Sequence, residues 1–267
     1  MQRSAQLQTI FHVLLSYSGF LLTHRILCAV LDRLPLPLGD WVTDLAAFLA
    51  AVLVFFALYR RIDPDAVPRN DRFRCSVPMA LVHVGYGFFW LVLLMFLVLL
   101  VFPVTGDPVR EGLVPRLLTA VLLHPLFEEI LFRRICQDRL LTLSEVREEA
   151  EIAEDVPVEP KEPVNTRAGI LFAVLTQALL FALVHTGGGG MLYGFGGGVV
   201  LGILMLRTGR LWVPVVCHML VNLRSVVWPY LPEGVSYGLD LLLLAAGLAC
   251  GVVFWIHRYR ETGKEKP

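Results

Sequence analysis

The order of apolar and polar positions divides the chain into eight apolar stretches, roughly 8–31, 41–59, 77–103, 113–136, 168–186, 189–206, 211–228 and 237–256. Each approaches the 20 or so apolar residues that a helix needs to cross a bilayer. The pattern therefore predicts an all-α, polytopic membrane helix bundle of about eight transmembrane helices. The third stretch is the cleanest, almost unbroken and aromatic from Phe88 to Phe102. The first is the most polar, with Ser16, Ser18, His24 and Arg25 inside it. It lacks a convincing small-residue cleavage site and reads as a retained span rather than a signal peptide. No soluble domain interrupts the series.

Charge adds an orientation. The chain is 56% hydrophobic and its formal net charge is zero, but the cations are unevenly placed. In an eight-span arrangement, Arg3, the Arg60–Arg74 group, the Arg133–Arg167 group, Arg207, Arg210 and the Arg258–Lys266 tail share one side, while the opposite loops hold only Arg33 and Arg110. Lys and Arg mark cytoplasmic loops, so both termini are predicted to be cytoplasmic. No basic tract points to nucleic acid. The longest loop, 140–166, is acidic and carries a Pro-rich piece, Val156-Pro157-Val158-Glu159-Pro160, and is expected to be a solvated linker. Cys28, Cys75, Cys136, Cys217 and Cys250 are scattered and suggest neither a disulfide framework nor a zinc knuckle.

Against this apolar background one octamer stands out, Phe127-Glu128-Glu129-Ile130-Leu131-Phe132-Arg133-Arg134. Carboxylates at membrane depth are costly and persist mainly in a bundle interior or a water-filled cavity where they act. On a helix Glu129 and Arg133 share one face, in the favourable Glu-before-Arg order, and Glu128 lies about 100° away beside Phe132. One carboxylate is thus paired and the other left free. The alternative is an interfacial Glu/Arg cluster that merely ends a span. Two further polar elements lie on other spans: Phe181 and His185 before a four-glycine run, and His218 and Asn222, four residues apart on one face. Pro214, four residues before His218, predicts a kink near them. A single membrane histidine is usually a packing residue, but three spans each bearing ionisable or amide groups imply convergence on one cavity. Gly190, Gly194, Gly198 and Gly202, at a strict four-residue interval, make a smooth face that lets a neighbouring helix approach, in support of a site rather than as part of it.

These motifs, in this order, resemble the CPBP family of intramembrane proteases (CAAX prenyl endopeptidases and bacteriocin self-immunity proteins). The resemblance lies in Glu-Glu-x-x-Phe-Arg at Glu128, Glu129, Phe132 and Arg133, Phe-x-x-x-His at Phe181 and His185, His-x-x-x-Asn at His218 and Asn222, and the run from Arg207 to Pro214. It covers about 113–228, the implied protease core with the acidic loop inserted. The flanks, 1–110 with the N-terminal helices and 229–267 with a last helix and basic tail, carry no such signature. The segment between the first two motifs is longer than the family usually has. His124, one turn before Glu128, is outside the motif and reads as a supporting group.

The resemblance implies endopeptidase activity on a membrane protein or lipidated peptide within the lipid bilayer. Peptide hydrolysis needs an activated water, a proton donor for the leaving amine and a stabilised oxyanion. By resemblance, Glu128 is the general base that holds water together with His185, His218 and Asn222 donate to the oxyanion, and Arg133 holds Glu129. Two alternatives stay open. Glu128, His185 and His218 could ligate Zn with a position left for water, although the chain lacks the His-Glu-x-x-His zinc helix. The same groups could serve a proton-coupled transporter, which should show an internal repeat with a second broken helix; none is legible. A tension remains in the spans as drawn. His185 would lie about 26 Å along its helix from the cytoplasmic end, with Glu128 much nearer that end, so the two meet only if span four is longer, to about Leu141.

Overall fold

The structure, a computed structural model, describes residues 2–31, 33, 40–62, 74–103, 112–143, 145–146, 164–185 and 187–264. Helix α1 spans Gln2–Leu31, α2 Asp40–Ile62 and α3 Val77–Val101. Helix α4 is continuous over 113–143, and two π-helical stretches, Leu117–Leu123 and Ile130–Gln137, bracket its α-helical centre His124–Glu129. A two-residue antiparallel ladder, Glu145–Val146 against Val164–Asn165, precedes α5 (Arg167–Ala182), α6 (Gly187–Thr208), α7 (Trp212–Val227) and α8 (Glu233–Lys264). The protein is an all-α membrane helix bundle. Three helices, α3, α6 and α8, are long and apolar enough to cross a membrane; α1, α2 and α5 carry shorter apolar segments at Ser18–Leu31, Leu45–Ala57 and Arg167–Ala182.

Span four is where the hydropathy pattern misplaced a boundary. The polar run Gln137-Asp138-Arg139 suggested an end near 136, yet the helix continues to Leu143. Two of these polar groups are answered within the structure: the buried Gln137 amide donates to the Gly202 carbonyl at 3.1 Å, and Arg134 pairs with Asp138 at 3.1 Å. Leu140 and Leu141 then bury against Ala173 of α5. Glu128 therefore falls in the middle of a 113–143 helix instead of near its end. Beyond residue 143 the expected acidic linker lies outside the described residues, apart from the ladder at Glu145–Val146 and Val164–Asn165 and the Thr166 that follows it.

Two apolar clusters hold the bundle. On one side Phe20, Phe48 and Phe55 of α1 and α2 pack edge-on and tilted against Phe127 of α4. On the other, α3 packs on α6 and α7 through Phe88, Leu91, Leu201, Leu204 and Cys217. Arg224 fastens α7 to α8 by a two-pronged pair with Asp240, at 2.7 and 2.6 Å, and Trp228 donates to the same carboxylate at 2.9 Å. None of the five cysteines is disulfide-bonded.

The glycine stripe does pack one helix on another. A Cβ at Gly198 would lie 2.8 Å from the Ala178 Cα of α5, and the Gln177 amide donates to the Gly198 carbonyl at 2.8 Å. Gly198→Ala should therefore push α5 and α6 apart and cost about 1–3 kcal/mol, seen as a lower unfolding temperature in detergent. Gly190→Ala, whose Cβ would meet nothing nearer than 3.8 Å, should be neutral or slightly stabilising, since Ala is the better helix former. Equal effects from the two would mean that the close approach is not what the stripe supplies.

Pro214 supplies no local cause for the expected kink, for a simple reason. Pro214 lies in the first turn of α7, which begins at Trp212, where a missing N–H removes no intrahelical bond. The preceding Arg210 carbonyl is taken by the Val213 N–H at 3.0 Å.

Candidate active site

The irregularity that the bundle does contain is in α4. The His124 N–H bonds the Thr119 carbonyl, a π-type step. In that register the Ala120 carbonyl should receive the N–H of residue 125, but Pro125 has none. The Asn222 side chain of α7 supplies the missing donor at 2.8 Å. Asn222 thus ties α7 to α4 about two turns before Glu128, at a carbonyl that the π register and the proline leave without its backbone donor.

Four of the predicted side chains converge. Glu128 of α4, His185 just past the end of α5, and His218 and Asn222 of α7 all line one cavity of about 400 Å³, with His124 and Tyr193 also in its wall. The longer α4 resolves the depth mismatch, since Glu128 is now mid-helix and His185 follows α5 in a turn. Glu129 and Arg133 do not reach the cavity. They are fully buried behind it, with the Arg133 Nε 2.9 Å from Glu129 Oε2. That approach is an ion contact rather than a well-directed hydrogen bond, and the terminal guanidinium nitrogens bond no described residue. The guanidinium instead stacks over Phe181 at 4.5 Å, a cation–π contact that counts for most where water is excluded.

Glu129 also does something that its spacing could not reveal. Its Oε1 accepts from His218 Nδ1 at 2.9 Å, and His218 Nε2 then faces Glu128 Oε2 at 3.8 Å. His218 is thereby held between the two carboxylates, its ring edge-on to Phe181. His185 is fixed in a similar way: Nδ1 lies 2.8 Å from the Phe181 carbonyl, which can only accept, so Nδ1 carries the proton and Nε2 keeps its lone pair. Room for this ring comes from Gly194, where a Cβ would lie 2.9 Å from His185 Nδ1. Phe181, at the centre of these contacts, touches Phe132, Arg133, His185 and His218.

Three donors of the kind that a catalytic zinc uses, Glu128, His185 and His218, thus share a cavity. Among the described residues, however, no three His, Cys, Asp or Glu side chains are gathered closely enough to hold a metal ion. As placed, they do not fit a resident zinc. The polar groups that sequence reasoning missed are Gln137, Gln177 and Tyr193. Gln137 and Gln177 are fully buried amides that cross-link α4, α5 and α6. The signal for them was an amide in an apolar helix opposite a glycine. Tyr193 places a buried hydroxyl with no hydrogen-bond partner among the described residues in the cavity wall.

No curated protein and no solved structure matches the chain. One family does: residues 110–224 match the type II CAAX prenyl endopeptidase, Rce1-like, family, and these residues contain all three motifs and every cavity-lining group expected from them. Over that span, a little under half of the chain, the sequence carries an Rce1-like type II CAAX prenyl endopeptidase domain, which supports a membrane protease of the CAAX/CPBP type.

Proposed function

We propose that the protein is an intramembrane endopeptidase that hydrolyses a peptide bond in a membrane protein or lipidated peptide, using water activated by Glu128 and His185. The observation that carries this reading is the shared cavity of Glu128, His185, His218 and Asn222, with a fully buried Glu129–Arg133 pair behind it. Water sits between the Glu128 carboxylate and the His185 Nε2 lone pair, and Glu128 takes its proton. This reading requires a proton on each His218 nitrogen, Nδ1–H given to Glu129 and Nε2–H turned to the cavity. Its Nε2–H, aimed by Glu129, donates to the oxyanion and later to the leaving amine. The Asn222 amide has a second N–H beyond the one given to Ala120, and this is the other oxyanion donor. Arg133 and Glu129 position; they do not touch substrate.

The test is cleavage of a prenylated C-terminal peptide, and of the same peptide without the lipid, by purified protein in proteoliposomes, with products read by mass spectrometry. Cleavage should continue after exhaustive chelation. Stoichiometric zinc, lost together with activity when His185 or His218 is replaced by Ala, would refute the metal-free chemistry and leave the protease assignment standing. Solute flux without peptide products, abolished by Glu128→Gln, would favour a transporter.

We further propose that both termini and the 140–166 loop face the cytoplasm, on the asymmetry of Lys and Arg among the loops. A cysteine placed at Ala150 should be silent to an impermeant thiol reagent applied to intact cells and reactive after lysis. Strong labelling from outside would invert the topology.

A further inference from the structure

The wall of the Glu128 cavity is one-sided along the bundle axis. Among the described residues, the lining positions of α4 are Arg116, Ala120, His124 and Glu128, which recur every fourth residue and stop at Glu128. Those of α7 start at His218 and run on through Val221, Asn222 and Ser225 to Val226. The Asn222 amide meets the Ala120 carbonyl across the gap at 2.8 Å, so the two stripes lie side by side with opposite chain directions. From the level of Glu128 and His218 the wall therefore extends about three turns towards the start of α4 and about two towards the end of α7, and on neither helix does it extend the other way. Exposure follows the same axis: His218 and Val221 are buried, Asn222, Ala120 and Arg116 are half-buried, and Ser225 is exposed.

The other end is packed shut. About one turn beyond the catalytic level lies a layer of fully buried side chains, Phe132 and Arg133 of α4, Gln177 of α5 and Val213 of α7, with Gln137 behind it. The Gln137 and Gln177 amides donate to the Gly202 and Gly198 carbonyls, which cross-links α4, α5 and α6 at this depth. Past the layer, the end of α4 leads into the two-residue ladder and the acidic loop. Hydrolysis consumes a water for every bond cut, and a layer packed to interior density passes neither water nor peptide. We propose that water and the substrate peptide reach Glu128 from the end of the bundle formed by the start of α4 and the end of α7, opposite the acidic loop. The proposal rests on the reading of this cavity as the active site. With the loop in the cytoplasm, the substrate is a segment presented at the extracytoplasmic face.

Cysteine accessibility in the full chain tests the proposal without requiring turnover. Ala120→Cys, on the cavity wall, and Ala150→Cys, in the loop, are each treated with a small impermeant methanethiosulfonate in right-side-out and in inverted vesicles from expressing cells. The modified position is read by mass spectrometry, which sets the five native cysteines apart. The thiol at position 120 should react only from the face that leaves position 150 untouched, a comparison that holds whichever face the loop occupies. Adding Ser225→Trp, which places a large ring on the exposed rim, should suppress the reaction at position 120. Reaction of position 120 from the loop's own face, or from neither face, overturns the proposal, and an unchanged rate with Ser225→Trp counts against this entrance. Cleavage enters neither readout, so a cavity reached from that end in a protein that cuts no peptide would sink the protease reading and leave the entrance standing.

Discussion

Glu128→Gln should reduce peptide cleavage about 10²-fold to 10⁴-fold, the share of a rate that a positioned general base supplies, and should leave the unfolding temperature nearly unchanged. The structure gives both halves of that expectation. Glu128 faces the cavity with its side chain 24% exposed, and its nearest charged partner is His218 Nε2 at 3.8 Å. An amide of the same shape therefore displaces no packing and leaves no buried cation alone, because Glu129 still answers Arg133. What it removes is the basic oxygen that takes a proton from water. Initial rates on a membrane-reconstituted peptide, set beside thermal unfolding of the same preparation, separate the two effects. Full activity in Glu128→Gln, or a large fall in its unfolding temperature, would remove Glu128 as the base.

What the sequence could and could not disclose follows the range of the interactions concerned. Contacts three or four residues apart were legible: the Glu129–Arg133 pair follows from helical spacing alone, and so does the packing role of the glycine stripe. Helix existence was legible wherever apolar runs were long. Boundaries failed where polar residues find partners inside the bundle. Gln137 seemed to end a span because hydropathy cannot see the Gly202 carbonyl that receives its amide. Pro214 pointed to a kink because its effect depends on whether it sits in the first turn or the interior, a matter of one or two residues. The π stretches in α4 have no sequence period of their own, so the orphaned Ala120 carbonyl and its capture by Asn222 were out of reach. The His218–Glu129 bond joins positions 89 apart, and nothing local distinguishes it from the His185–Glu128 partnership that the motifs suggested.

That bond leads to the other large effect. Glu129→Ala removes at once the counter-charge of Arg133 and the acceptor that orients His218. With both members of the Glu129–Arg133 pair fully buried, the stranded guanidinium should cost about 3–5 kcal/mol, visible as a much lower unfolding temperature than for Glu128→Gln. Activity should fall as well, and a loss of fold alone would account for that. A second variant separates the causes. Glu129→Ala combined with Arg133→Met removes both charges and keeps most of the buried volume, and replacing a buried ion pair by apolar groups is often neutral or stabilising. Stability should therefore return towards that of the unaltered protein. Activity should not, because His218 Nδ1 still has no carboxylate to hold its ring with Nε2 towards Glu128. The remaining defect should lie in kcat with KM little changed, as befits a group that acts only in the transition state. If the double variant recovers both stability and turnover, Glu129 serves only to neutralise Arg133 and has no part in positioning His218.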